Sequence, residues 1–138
     1  MRQLVANTLQ ALGYEPVWQE VFETSSDDVR PLLRKQIDSC GAVLQIVGEA
    51  YGAEPPSPDE QFGRCSYTQF EAFYASHSGK PVYYLIASPE LLRDTPPEQL
   101  DRPVDESDAA RADALERQRL QRAYRQQRQQ TEHVFYPV

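Results

Sequence analysis

Two short, almost wholly apolar runs decide most of what this chain can fold into: Ala42-Val43-Leu44-Gln45-Ile46-Val47 and Val82-Tyr83-Tyr84-Leu85-Ile86-Ala87. Each has the length of a strand, and neither shows the apolar–polar alternation of a strand with one wet face. Between them Phe70, Phe73 and Tyr74 fall at helical spacing, behind Ser66 and Thr68, either of which can cap a helix running to about His77. Strand, helix and strand at this separation predict parallel strands joined by a crossover and covered on both faces.

The rest of the chain extends that pattern. Leu4, Val5, Thr8, Leu9 and Leu12 place a helix over Arg2–Leu12, and Gly13 is its natural stop. Pro16-Val17-Trp18-Gln19-Glu20-Val21-Phe22 reads as a strand. Ser25, Ser26, Asp27 and Asp28 are N-cap candidates for a second helix that must hold Pro31 in its first turn and that Gly41 ends. A loop rich in glycine and proline, kept wet by Asp59 and Glu60, precedes the Ser66 helix, where Thr68-Gln69-Phe70-Glu71 matches the capping-box pattern. The fold class expected is α/β, a parallel sheet flanked by helices, with the oddity that a helix and not a strand comes first. At 138 residues the chain is one domain. Residues 1–87 form the core, 88–108 an acidic, proline-rich connector, and 109–138 a polar helix with a short terminal strand at His133–Tyr136.

Charge narrows the function classes. The net charge is −7, which repels phosphate backbones and disfavours nucleic acid as a partner. That charge is segregated. Residues 1–108 carry 8 basic and 18 acidic side chains, a balance of −10, and residues 109–138 carry 6 and 3, a balance of +3. No apolar run can span a bilayer and the start has no signal-peptide pattern, so no membrane partner and a cytoplasmic location are expected. Cys40 and Cys65 are too few for a disulfide framework, and His77 and His133 stand isolated, so neither a metal nor a cofactor is expected. Cys65 reads as a small packing residue. Leu120, Ala123 and Tyr124 are the clear apolar patch on the polar helix. Its arginines, Arg111, Arg117, Arg119, Arg122, Arg125 and Arg128, spread around it as a solvated surface or as a surface for an acidic partner.

Two segments carry candidate chemistry. Gly48-Glu49-Ala50-Tyr51-Gly52 follows an apolar strand at the edge where parallel sheets bind ligands, and its glycines allow a phosphate or ribose to come close. Equally, it is a turn that needs a positive φ. Glu71 lies one turn into the next helix, either as the capping-box partner or as a carboxylate able to reach an anomeric carbon. Leu12-Gly13-Tyr14-Glu15-Pro16-Val17, Ile37-Asp38-Ser39-Cys40, Ile46-Val47-Gly48-Glu49-Ala50-Tyr51-Gly52, Ser66-Tyr67-Thr68-Gln69-Phe70-Glu71 and Gly79-Lys80-Pro81-Val82 together resemble the TIR-like family called domain of unknown function 4062.

The resemblance implies a flavodoxin-like, TIR-like sheet of the kind found at the N-terminus of NTPase signalling and defence proteins. It also implies a first strand ending in serines ahead of the opening helix, which this sequence lacks. Related TIR enzymes cleave the nicotinamide–ribose bond of NAD with a glutamate on the helix after the third strand, the position Glu71 matches. Two readings follow. One is a non-catalytic signalling or assembly module whose partners are further copies of itself or other signalling domains. The alternative is an N-glycosidase acting on NAD or a related nucleotide, with Glu71 as catalytic carboxylate and Gly48, Tyr51, Gly52, Ser66 and Tyr67 binding substrate.

Overall fold

The computed structural model describes residues 2–17, 27–88, 96, 99–130 and the backbone of 134–135. Helix α1 spans Arg2–Ala11 and buries only Ala6, leaving Leu4 and Leu12 exposed. Gly13, at φ +88°, takes the left-handed turn that closes it, with the Tyr14 amide donating to the Leu9 carbonyl at 3.0 Å. Of the predicted strand Pro16–Phe22, residues 18–22 lie outside the described residues, as do Ser25 and Ser26; Pro16 and Val17 form no strand.

Helix α2, Arg30–Asp38, has Pro31 in its first turn as expected, but its N-cap is Val29, which cannot cap through its side chain. Asp28 serves instead: Oδ1 accepts from the Arg30 amide at 3.0 Å, and both oxygens bind the Arg30 guanidinium. That guanidinium holds the Asp28 carboxyl below the usual carboxylate range. Nor does Gly41 end the helix. Ser39 is the C-cap; its hydroxyl donates to the Gln36 carbonyl at 2.7 Å, while Lys80 Nζ donates to the Asp38 and Cys40 carbonyls. With those carbonyls satisfied, no left-handed residue is required.

Strands β1 (Val43–Val47) and β2 (Val82–Ile86) pair in parallel, Val43 opposite Val82 and Val47 opposite Ile86. Helix α3, Tyr67–His77, connects them. Helix α4, Asp108–Arg128, leads from β2 to β3, Val134–Phe135, which pairs in parallel with β2. The sheet order is β1-β2-β3. The predicted terminal strand therefore lies on the side of β2 away from β1; His133 and Tyr136 are outside the described residues.

One sheet face carries the core. Val47, Val82, Tyr84 and Ile86 pack with Ile37 of α2, Ala72 and Ala75 of α3, and Tyr124 of α4. A second cluster joins Leu33, Cys65, Tyr67 and Phe70. The opposite face departs from the expectation of two covered sides: Leu44 is 37% exposed, and Ile46, Tyr83 and Leu85 are half-buried. Among the described residues, α2, α3 and α4 all contribute to the first face. The loop before α3 also differs from expectation, because Asp59 is buried. It accepts from the Gln61 and Phe62 amides and meets Arg30 and Arg34, each at 3.4 Å. Among the described residues no helix is long and apolar enough to cross a membrane.

Candidate functional site

The edge formed by the C-terminal ends of β1 and β2 is where a parallel sheet offers its strand-end backbone groups. Here those groups meet polar side chains from elsewhere in the chain. Gln121 Nε2 donates to the Gly48 carbonyl at 2.8 Å. Arg125 donates to the Val47 carbonyl at 3.3 Å and to the Ala87 carbonyl at 3.1 Å. Asp101, from the connector, accepts from the Tyr51 amide at 2.6 Å and the Gly52 amide at 3.1 Å, one carboxylate oxygen to each.

Why α4 docks here is visible in its buried stripe, Ala110, Ala114, Gln121 and Tyr124. The apolar patch expected from sequence is only partly the docking face: Tyr124 is buried, Leu120 and Ala123 are half-buried. Small alanines bring the helix close, and Gln121 then reaches both the strand end and α3. Its Oε1 accepts from Gln69 Nε2 at 2.9 Å. Tyr124 packs edge-on against Phe73 and donates its hydroxyl to Gln45 Oε1, while Gln45 Nε2 donates to the Thr68 carbonyl at 2.5 Å. Burial raises the Tyr124 phenol far above its ordinary range, so it stays a neutral donor.

Ser66 sits inside this network as the N-cap of α3. Its hydroxyl accepts from the Gln69 amide at 3.2 Å, and Gln69 Oε1 accepts from the Ser66 amide at 3.4 Å. The capping box is thus Ser66 with Gln69, two residues earlier than the Thr68–Glu71 pair read from sequence. The reason is that Ser66 alone has extended backbone, at φ −72° and ψ 164°, whereas Thr68 is already helical.

Glu71 is released from capping by that shift. It is half-buried, and burial pushes its carboxyl up to about 7, an effect that attraction to Arg2 of α1 opposes. Among the described residues no hydrogen bond or ion pair joins Glu71 to Gly48, Tyr51, Gly52 or Ser66. The remaining candidates fall into separate places. Gly48 and Ser66 are linked through Gln69 and Gln121; Tyr51 and Gly52 share Asp101. Tyr67 instead turns toward α2, where its hydroxyl accepts from the Val29 amide at 3.4 Å.

A second polar system lies beside the glycine loop. Tyr51 is buried and donates its hydroxyl to Glu54 at 2.9 Å; Arg64 clamps the same carboxylate at 2.8 and 3.0 Å and reaches Asp113 of α4 at 2.5 Å. Arg117 pairs with Asp113 at 3.0 Å and approaches Asp101 at 4.0 Å. A cleft of about 100 Å³ lies along the adjoining proline loop, lined by Glu54, Pro55, Pro56, Ser57, Pro58, Arg64 and Cys65. It contains none of the sequence-derived site residues and is too small for a nucleotide. Cys65 is buried there, and burial pushes its thiol up to about 11, so it is no nucleophile.

Sequence reasoning missed Asp101, Gln121 and Arg125. Gln121 and Arg125 sit four apart on one helix face, the one local signal they share; Asp101 gives none, since its partners lie about fifty residues away. Among the described residues no three potential metal ligands gather. No curated protein and no solved structure matches the chain. A family model does match, over residues 1–136, and its description is Domain of unknown function (DUF4062). The segments Ile46–Gly52 and Ser66–Glu71, which shape the sheet edge just described, and Gly79–Val82, which leads into β2, all fall within that match, and the chain belongs to this family.

Proposed function

We propose that this chain is a TIR-like, flavodoxin-related signalling or assembly module, and that it does not turn over substrate at its sheet edge in this conformation. One observation carries the reading: the strand-end groups a ligand would use are engaged by the chain's own Gln121, Arg125 and Asp101. An enzyme site needs those groups accessible. The module would act through its surfaces, binding another copy of itself or another signalling domain. Sedimentation velocity across a wide concentration range is the test, together with an assay for nicotinamide release from NAD. Concentration-dependent association without turnover supports the reading. A monomer throughout removes self-association and leaves only another signalling domain as partner; turnover abolished by Glu71→Ala overturns the reading.

A second reading, an N-glycosidase of NAD or a related nucleotide, is favoured by Glu71 itself. A carboxyl raised to about 7 and free of any cap can exchange a proton or attack an anomeric carbon near neutral pH. Gly48, Tyr51, Gly52 and Ser66 would then line the pocket once α4 and the connector have moved. Nicotinamide release by the native chain that is lost in Glu71→Ala would establish this reading; its absence in both chains would dismiss it.

A further inference from the structure

The Asp101 contact is unlike the other contacts at the sheet edge. Gln121 and Arg125 are donors satisfying carbonyls, which any helix packed on strand ends needs. Asp101 is an anion held by two successive backbone amides, Tyr51 and Gly52, one per carboxylate oxygen. Paired amides at a glycine turn form an anion cradle. The carboxylate is nearly sealed from solvent, at 5% exposure, with the Arg117 guanidinium 4.0 Å away. Asp101 is also the one described residue other than glycine with a positive φ, +52°. A left-handed backbone there is a local cost, which the two amide contacts offset.

The two amides are not equally covered. Gly52 is exposed, at φ +79°, while Tyr51 is buried. A ligand therefore meets the Gly52 amide first and reaches the pair only by displacing Asp101. Charge selects its class. Arg64 and Arg117 face Glu54, Asp113 and Asp101, so the cluster balances at −1 with its own carboxylate in place. Exchanging that carboxylate for a singly charged phosphate group keeps the local balance, whereas a doubly charged group seated on the amides adds repulsion from Glu54 and Asp113.

We propose that the Tyr51–Gly52 amide pair is a binding site for a singly charged phosphodiester group, such as one phosphate of a pyrophosphate diester, and that Asp101 is its resident, displaceable occupant. The incoming oxygens replace the carboxylate oxygens one for one, and the connector carrying Asp101 lifts away. The site depends on neither Glu71 nor self-association, so its failure is distinguishable from failure of either functional reading.

The test is a titration of the full chain followed by amide chemical shifts, with dimethyl phosphate and ADP-ribose as diester probes, inorganic phosphate as the dianion, and adenosine as the neutral control. In the native chain both diester probes are expected to shift the Tyr51 and Gly52 amides saturably, inorganic phosphate more weakly and adenosine not at all. Asp101→Asn removes the competing charge while keeping the side chain's shape, and is expected to tighten both diester probes about tenfold or more. Arg117→Gln is expected to weaken them. Should Asp101→Asn fail to fold, the native chain and Arg117→Gln still decide the matter. Diester binding that leaves the Tyr51 and Gly52 amides unmoved, equal affinity in native and Asp101→Asn chains, or no binding at all overturns the proposal.

Discussion

Glu71→Gln tests whether the Glu71 carboxyl is desolvated in the folded chain. Burial raises it from an ordinary 4.5 to about 7. Below about pH 4.5 folded and unfolded chains both hold the proton, and the carboxyl costs nothing. As pH rises, the unfolded chain ionises first while the folded chain keeps its proton, so stability falls. The loss is complete once pH passes the folded value near 7. The full gap corresponds to about 3 kcal/mol, and solvent reaching the half-buried side chain trims this to about 2 kcal/mol. Glutamine does not titrate. The stability of Glu71→Gln relative to the native chain should therefore grow by about 2 kcal/mol between pH 4.5 and 8, or about 6 °C in Tm for a domain of this size.

Urea unfolding of both chains at half-unit pH steps measures this directly. The difference between the curves cancels titrations that the two chains share. Its pH dependence, not its offset, is the observable, because a buried amide brings hydrogen-bonding costs of its own. Arg2→Gln sharpens the test: losing the opposing attraction should raise the Glu71 carboxyl further and widen the pH span. Parallel native and Glu71→Gln curves from pH 4.5 to 8 would refute the reasoning.

Three further outcomes rest on the same network. Ser66→Ala removes the side-chain half of the capping box and should cost about 1 kcal/mol in chemical denaturation, whereas Thr68→Ala, outside the cap, should cost less than half of that. Tyr124→Phe leaves buried Gln45 Oε1 without the Tyr124 hydroxyl and should cost about 1–3 kcal/mol, much of it recovered when Gln45→Leu is added. In the native chain at pH 8 a thiol reagent should label Cys40, which is half-buried, well before Cys65, whose thiol burial pushes up to about 11; equal rates would contradict the packing of the second core cluster.

The sheet was legible because apolar runs of strand length have few other uses; α1 and α3 follow from glycine and capping chemistry, whereas the ends of α2, at Val29 and Ser39, do not. The α3 boundary is sound to within a residue and Ser66 was one of its two cap candidates, yet the capping-box pair was placed two residues late. Ser66 and Thr68 each precede a Glu or Gln by three positions, so the pattern fits both registers, and only the backbone turn at Ser66 separates them. The docking face of α4 was harder to see. Hydropathy scores Gln121 and Arg125 as solvent-facing, but strand-end carbonyls make burial favourable for donors there. Asp59 misled for the same reason: a loop acid reads as wet until Arg30, Arg34 and two amides are found around it. The TIR-like and NAD readings are proposals carried by motif resemblance alone, since neither periodicity nor spacing points to them.

The five strand-end groups held by side chains do not resist a ligand equally. Freeing the carbonyls of Gly48 and Ala87 means withdrawing Gln121 and Arg125 together, since both ride on α4, and the Val47 carbonyl would still accept from the Ala87 amide. That motion also breaks the links from Gln121 to Gln69 and from Tyr124 to Gln45. Each broken bond that leaves a buried group unpaired costs about 1–3 kcal/mol, and a ligand recovers only the ones it remakes. The Asp101 contact differs in kind. It sits on an exposed glycine, belongs to a connector and not to a core helix, and offers two amides that an anion can take over without leaving either unpaired. On the proposed exchange a ligand enters this edge at Gly52, and freeing the strand-end carbonyls as well would be a second, costlier step in which α4 moves.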